Sequence, residues 1–223
     1  VGTWAHAMSP ADTRPANRAL VLGTAAFTAC FFAWSMLGPL GPDLQEEVGL
    51  SELELAIVIA VPVLMGSLMR VPLGILTDRL GGRPVFVGLM AFTLLPLAAL
   101  AAVHSSLWAL LAFGFLLGFA GASFAVGVPF VSRWFPRERQ GAALGIYGAG
   151  MGGTVLAGLT APRLADAWGL RAPFLVAIAL LAVVGGAFWL LARDAPGRPP
   201  AAEGGLLAPL RVFRERPAAW APT

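Results

Sequence analysis

A chain of 223 residues with 58% hydrophobic and only 12% charged residues, and a mean hydropathy of +0.79, is too apolar for a soluble domain, which carries about a quarter of its residues charged. The net charge of +3 rests on 15 basic residues, all of them arginine and most of them in short connections between apolar runs. That spread excludes the continuous basic face a nucleic-acid binder needs, and the single cysteine excludes a disulfide framework.

Residues 1–17 hold Pro10, Asp12, Arg14 and Pro15 and lack the apolar run of a cleaved signal peptide, so they read as a short cytoplasmic tail. The first span runs from about Ala19 to Leu40, with Thr24, Thr28, Trp34 and Ser35 suited either to line a pore or to pack. An acidic connection with Asp43, Glu46, Glu47, Glu52 and Glu54 follows and, having no arginine, is expected to face outward. The second span, Leu53 to Leu76, carries Arg70 well inside it and is expected to bend at Pro62 and Pro72. A third runs from about Val85 to Val103, and a turn at His104, Ser105 and Ser106 leads into a fourth, Leu107 to Val131. The fifth covers Gly141 to Leu164 and the sixth Pro173 to Leu191. Each is near the roughly 20 residues that a hydrocarbon core of about 30 Å requires. The expected organisation is an all-α integral membrane protein. It has a tail over 1–17, a six-helix domain over 18–195, and a cytoplasmic linker over 196–223 in which Trp220 begins a truncated seventh helix.

Twelve arginines fall in the tails and in the second-to-third and fourth-to-fifth connections, whereas only Arg163 and Arg171 lie on the other side. The positive-inside rule then places both ends in the cytoplasm, with the chain in the cell's inner membrane. Arg70 remains within the bilayer, where a guanidinium costs about 2.5 to 3.5 kcal/mol on insertion scales and marks a substrate path. It stands four residues from both Gly66 and Gly74, a helix face expected to point into protein. The alternative is that Arg70 snorkels to the headgroups.

Gly114, Gly118 and Gly121 in the fourth span, and Gly141, Gly145, Gly148 and Gly152 in the fifth, each form a smooth stripe suited equally to tight static packing or to sliding. Cys30 reads as a small buried hydrophobe. His6 and His104 stand alone, and no nucleophile, base and orienting group are grouped, so neither an enzyme nor a metal or cofactor site is expected.

The run Gly74-Ile75-Leu76-Thr77-Asp78-Arg79-Leu80-Gly81-Gly82-Arg83 resembles the major facilitator superfamily signature, G-x-L-x-D-R-x-G-x-R, between the second and third helices. Within that superfamily, Phe31 to Leu40, Arg70, Ser123-Phe124-Ala125, Phe130 to Pro136, Gln140-Gly141 and the glycine-rich fifth span resemble the nitrate/nitrite porters. The resemblance implies the N-terminal half of a twelve-helix transporter, with 3+3 inverted repeats inside the half, working by alternating access with a C-terminal six-helix half or a second copy of itself. It implies Arg70 as the anion grip and Phe124 as the aromatic beside it; Ser123, Gly150 and Met151 are expected around the substrate, and Tyr147 either lends its hydroxyl there or, as is more common for a buried tyrosine, bonds backbone. The porters carry Gly-Asn-x-Gly where this chain has Gly150-Met151-Gly152-Gly153, so an amide donor is missing and a small carboxylate or cyanate is the alternative substrate. Gly74, Asp78, Arg79, Gly81 and Arg83, with Arg139 as a partner, are expected to form a latch on the cytoplasmic side. Without the family, one intramembrane cation and no intramembrane carboxylate already indicate a small anion, and a planar guanidinium can donate two parallel hydrogen bonds to nitrate or nitrite. The missing proton relay favours exchange. A non-transporting half is the reading of a different class.

Overall fold

The computed structural model describes residues 10–196, so the expected linker from Gly197 onward and the first nine residues of the tail lie outside the described residues. The described chain is helical throughout: α1 Pro10–Trp34, α2 Gly41–Val48, α3 Glu52–Leu80, α4 Gly82–Ala102, α5 Leu107–Leu117, α6 Ser123–Ser132, α7 Arg137–Gly148, α8 Gly152–Trp168 and α9 Arg171–Leu191. Short 3-10 turns, Gly118–Ala122 and Ala149–Met151, join α5 to α6 and α7 to α8. Six spans in these residues are long and apolar enough to cross a membrane: α1, α3, α4, α5 with α6, α7 with α8, and α9.

Three boundaries differ from expectation. Helix α1 begins at Pro10, inside the stretch read as a tail, and ends at Trp34, because the glycines and prolines at 38, 39, 41 and 42 cannot continue a helix. The acidic connection is not simply a loop. Pro42 opens α2 and Gly49, at φ +72°, closes it, the arrangement in which proline loses nothing at a helix start and glycine takes the left-handed exit. Helix α3 starts one residue earlier than expected and runs four further, to Leu80. Its start is set by a capping box in which the Ser51 hydroxyl accepts the Glu54 N–H and the Glu54 carboxylate accepts the Ser51 N–H.

The first span is the hub, packing on the fourth, fifth and sixth, while the second lies against the fourth and the third against the sixth. Small residues allow these approaches. A methyl group added at Gly66 would stand 3.1 Å from the Gly118 carbonyl oxygen, and one at Gly118 would stand 2.5 Å from the Met65 Cβ. Close backbone contact of this kind is what drives helix association where lipid removes the hydrophobic incentive. The fourth-span stripe is therefore a packing seam. Across it the Trp34 indole N–H donates to the Pro62 carbonyl at 3.1 Å, a bond between spans worth about 0.6 to 1.7 kcal/mol. Thr24, Thr28 and Ser35 point no hydroxyl at a pore; each donates to a carbonyl one turn back on its own chain.

Candidate substrate site and signature loop

Arg70 is exposed on α3, and its side chain takes part in no hydrogen bond, ion pair or ring contact among the described residues. The face it shares with Gly66 and Gly74 is only partly covered. Gly66 is buried against the fourth span, whereas nothing lies within 4 Å of a methyl group at Gly74. Four residues turn a helix by about 400°, so two such steps carry Gly74 about 80° round from Gly66. Among the described residues this face therefore meets protein at Gly66 and is uncovered at Arg70 and Gly74.

The other expected substrate residues divide into an open and a closed group. Phe124 is 41% exposed and Met151 55% exposed. Tyr147 and Ser123 are fully buried, with the Tyr147 hydroxyl donating to the Ser123 carbonyl at 3.1 Å. The Tyr147 ring stacks on Phe27 at 4.8 Å between centroids, and the Phe124 ring stands 5.7 Å from Phe27 and 6.1 Å from Tyr147. Tyr147 is thus a buried tie between the fourth and fifth spans, and its hydroxyl is engaged by backbone. Gly150 is buried too, because a methyl group there would lie 2.5 Å from the Phe27 ring. It serves packing, in place of the exposed backbone expected beside a ligand. Gly127 was not singled out in the sequence, and a methyl group at that position would fall on the Tyr147 hydroxyl.

The signature loop is clamped from two sides. Asp78 pairs with Arg133 at 2.8 Å; Arg139, the expected partner, is exposed and its backbone N–H bonds the Pro136 carbonyl at the start of α7. The reason is reach: Arg133 ends the fourth span, which already packs on the second. Arg79 is half-buried at the end of α3. Gly81 takes φ +97°, a backbone that favours glycine, and a methyl group there would lie 2.7 Å from the Asp194 carboxylate. Asp194 accepts the Arg83 backbone N–H at 3.0 Å, which sets a carboxylate at the positive end of α4. The Arg83 guanidinium donates to the Trp189 carbonyl and sits 4.7 Å over the Trp189 ring. Arg133, Asp194 and Trp189 are the residues that sequence reasoning missed; the signal for Asp194 was a lone acid directly after the sixth span.

On the opposite end, His104 is not isolated. Its Nε2 lies 3.1 Å from Glu47 Oε1, joining α2 to the end of α4. Burial, with Asp166 and Glu46 nearby, raises the Asp43 carboxyl above its ordinary value.

Six membrane-length helices, a charged loop clamped to the fourth and sixth of them, and an unpaired arginine on the second define a membrane transport fold. The chain belongs to the Major Facilitator Superfamily, whose family model matches residues 23–223. It is 36% identical over 203 residues to the probable nitrate/nitrite transporter NarK2 of Mycobacterium tuberculosis, covering 90% of this chain and 51% of that protein. It is 46% identical over 147 residues to the probable nitrate/nitrite antiporter NarK1 of Thermus thermophilus, covering 66% and 33%. With the probable nitrate transporter NarT of Staphylococcus aureus the figures are 38% over 168 residues, 74% and 43%. The chain thus spans about half the length, or less, of the curated relatives it matches. Among solved structures the human organic anion transporter MFSD10 superposes with a TM-score of 0.71 at 19% identity, covering 90% of this chain and 55% of that one. The POT family transporter PepTSo gives 0.65 at 20%, covering 88% and 41%. At such identities the two structures support the fold alone.

Proposed function

We propose that this chain supplies the N-terminal half of a transporter that moves nitrate and nitrite across the inner membrane by alternating access, by exchange rather than proton symport. The observation that carries the reading is Arg70, a guanidinium inside the second span that has no partner of its own and stands exposed where the described helices leave a face uncovered. An unpaired cation at that depth is costly unless an anion or a wet cavity meets it. Phe124 and Met151 are also exposed, and in this reading they offer apolar surface to the same substrate path. The names of the relatives support nitrate and nitrite as the cargo. In this reading a second six-helix half, or a second copy, covers the face and contributes a further anion contact, and both ends of the chain lie in the cytoplasm.

The decisive measurement is nitrate and nitrite accumulation in transport-deficient cells that express this chain together with a C-terminal six-helix half. Arg70→Lys, confirmed to be in the membrane, is expected to lose uptake by at least about tenfold, because lysine keeps the charge and loses the planar bidentate fork. Uptake that survives the change returns Arg70 to a snorkelling role. Met151 favours a second reading, a small carboxylate or cyanate, since an exposed thioether stands where the porters place an amide; competition by those anions against labelled nitrate separates the two.

A further inference from the structure

At the arginine-rich end of the bundle a cavity of about 280 Å³ opens between the start of the first span, the end of the sixth and the connection after the fourth. Arg14, Arg18, Arg193, Trp134 and Leu191 line it. Arg14 and Arg18 lie four residues apart and so share one face of α1. None of the three arginines has a carboxylate within ion-pair distance among the described residues; Asp78 is taken by Arg133 and Glu47 by His104. Asp194, the acid next to Arg193 in the chain, accepts from the Arg83 backbone on the signature loop. Arg18 donates to the Leu191 carbonyl, which uses one of its five N–H groups and leaves the rest unassigned. The indole N–H of Trp134 is buried and has no acceptor. Three guanidinium groups line one cavity, a concentration of donors suited to an anion, and Trp134, whose N–H has no acceptor, forms part of the wall.

We propose that this cavity binds the phosphate of an anionic phospholipid in the adjacent leaflet. The occupant is a lipid rather than a soluble phosphate because the cavity lies where the first span begins and the sixth ends. Its wall includes Leu191, 46% exposed, and Leu190 beside it is 76% exposed, so an acyl chain has apolar helix surface to follow. Basic pockets between membrane helices take lipid headgroups in this way, and arginine suits phosphate through its planar fork. The site is independent of the cargo and of Arg70, so it stands whether or not the chain moves nitrate.

The test is native mass spectrometry and thermal unfolding of the full chain with dioleoyl phosphatidylglycerol, dioleoyl phosphatidylcholine or soluble glycerol 3-phosphate. Phosphatidylglycerol, and not phosphatidylcholine, is expected to remain bound and to raise the melting temperature. Arg14→Gln with Arg193→Gln is expected to weaken retention by about tenfold or more. Trp134→Phe, which keeps the ring and removes the donor, weakens it by a smaller factor, and decides the matter if the double variant does not fold. Equal retention of phosphatidylglycerol by the variants and the parent chain overturns the proposal. So does displacement of the lipid by glycerol 3-phosphate, which would make the cavity a soluble-anion site. A loss of melting temperature in phosphatidylcholine as large as in phosphatidylglycerol also overturns it, since the arginines would then be holding the chain itself.

Discussion

The Asp78 to Arg133 pair ties the end of the second span to the end of the fourth across 55 residues of chain. Both side chains keep contact with solvent, so the pair contributes little to static stability and is better suited to bias one of two states of a moving bundle. Asp78→Asn and Arg133→Gln are each expected to slow transport while leaving anion affinity unchanged, with the double variant no worse than either single one. Normal flux in Asp78→Asn would remove the latch. A second residue-scale prediction concerns a contact that no motif advertised. Gly127→Ala is expected to destabilise the chain by about 1 to 3 kcal/mol, the range for overpacking a filled site, as read by unfolding in detergent. Tyr147→Phe should relieve it only in part, because ring carbons as well as the hydroxyl crowd that position.

At the scale of elements, the short helix α2 is held over the end of the bundle opposite the signature loop by the Glu47 to His104 contact, and its Asp43 lies near Asp166. Asp43 there has a carboxyl raised above its ordinary value, chiefly by burial and then by Asp166 and Glu46. A carboxyl raised in the folded state opposes folding fully above that raised value. The cost is relieved as pH falls through the window between the folded and the ordinary value. Asp43→Asn is therefore expected to be more stable than the parent at neutral pH and to lose that advantage on acidification into the ordinary carboxylate range. Melting curves of the two proteins from pH 7 to below the aspartate range check it. A constant difference at all pH values would show that Asp43 does not titrate in that window.

For the whole molecule, the fifth span separates two kinds of glycine that look alike in the chain. Gly153 backs directly on the first span, and an added methyl group would meet the Thr28 carbonyl oxygen, whereas nothing lies within 4 Å of one at Gly145, Gly148 or Gly152. The first kind holds this half together. The second has no neighbour among the described residues, and under the proposed assembly it would meet the other half. Gly148→Trp is accordingly expected to leave the melting temperature of the chain alone nearly unchanged and to abolish transport when a second half is present. Gly153→Ala should lower the melting temperature by itself. If Gly148→Trp transports normally, the uncovered face is a lipid face.

Much of this protein is determined by the order of its residues. Span number follows from apolar run length, because a bilayer sets that length. The superfamily is legible in Gly74 to Arg83, and the proposed anionic cargo has its sequence signal in Arg70, the arginine set within the second span. Partners across the chain were not legible: Arg133 in place of Arg139 on Asp78, Asp194 on the start of α4, and Glu47 on His104 each join segments far apart in sequence. Nor could spacing tell a packed glycine from an open one, or show that the Tyr147 hydroxyl is already bonded to Ser123. Helix periodicity says which residues share a face, but a face acquires a role only from what is packed against it, and that depends on how six helices share one small core.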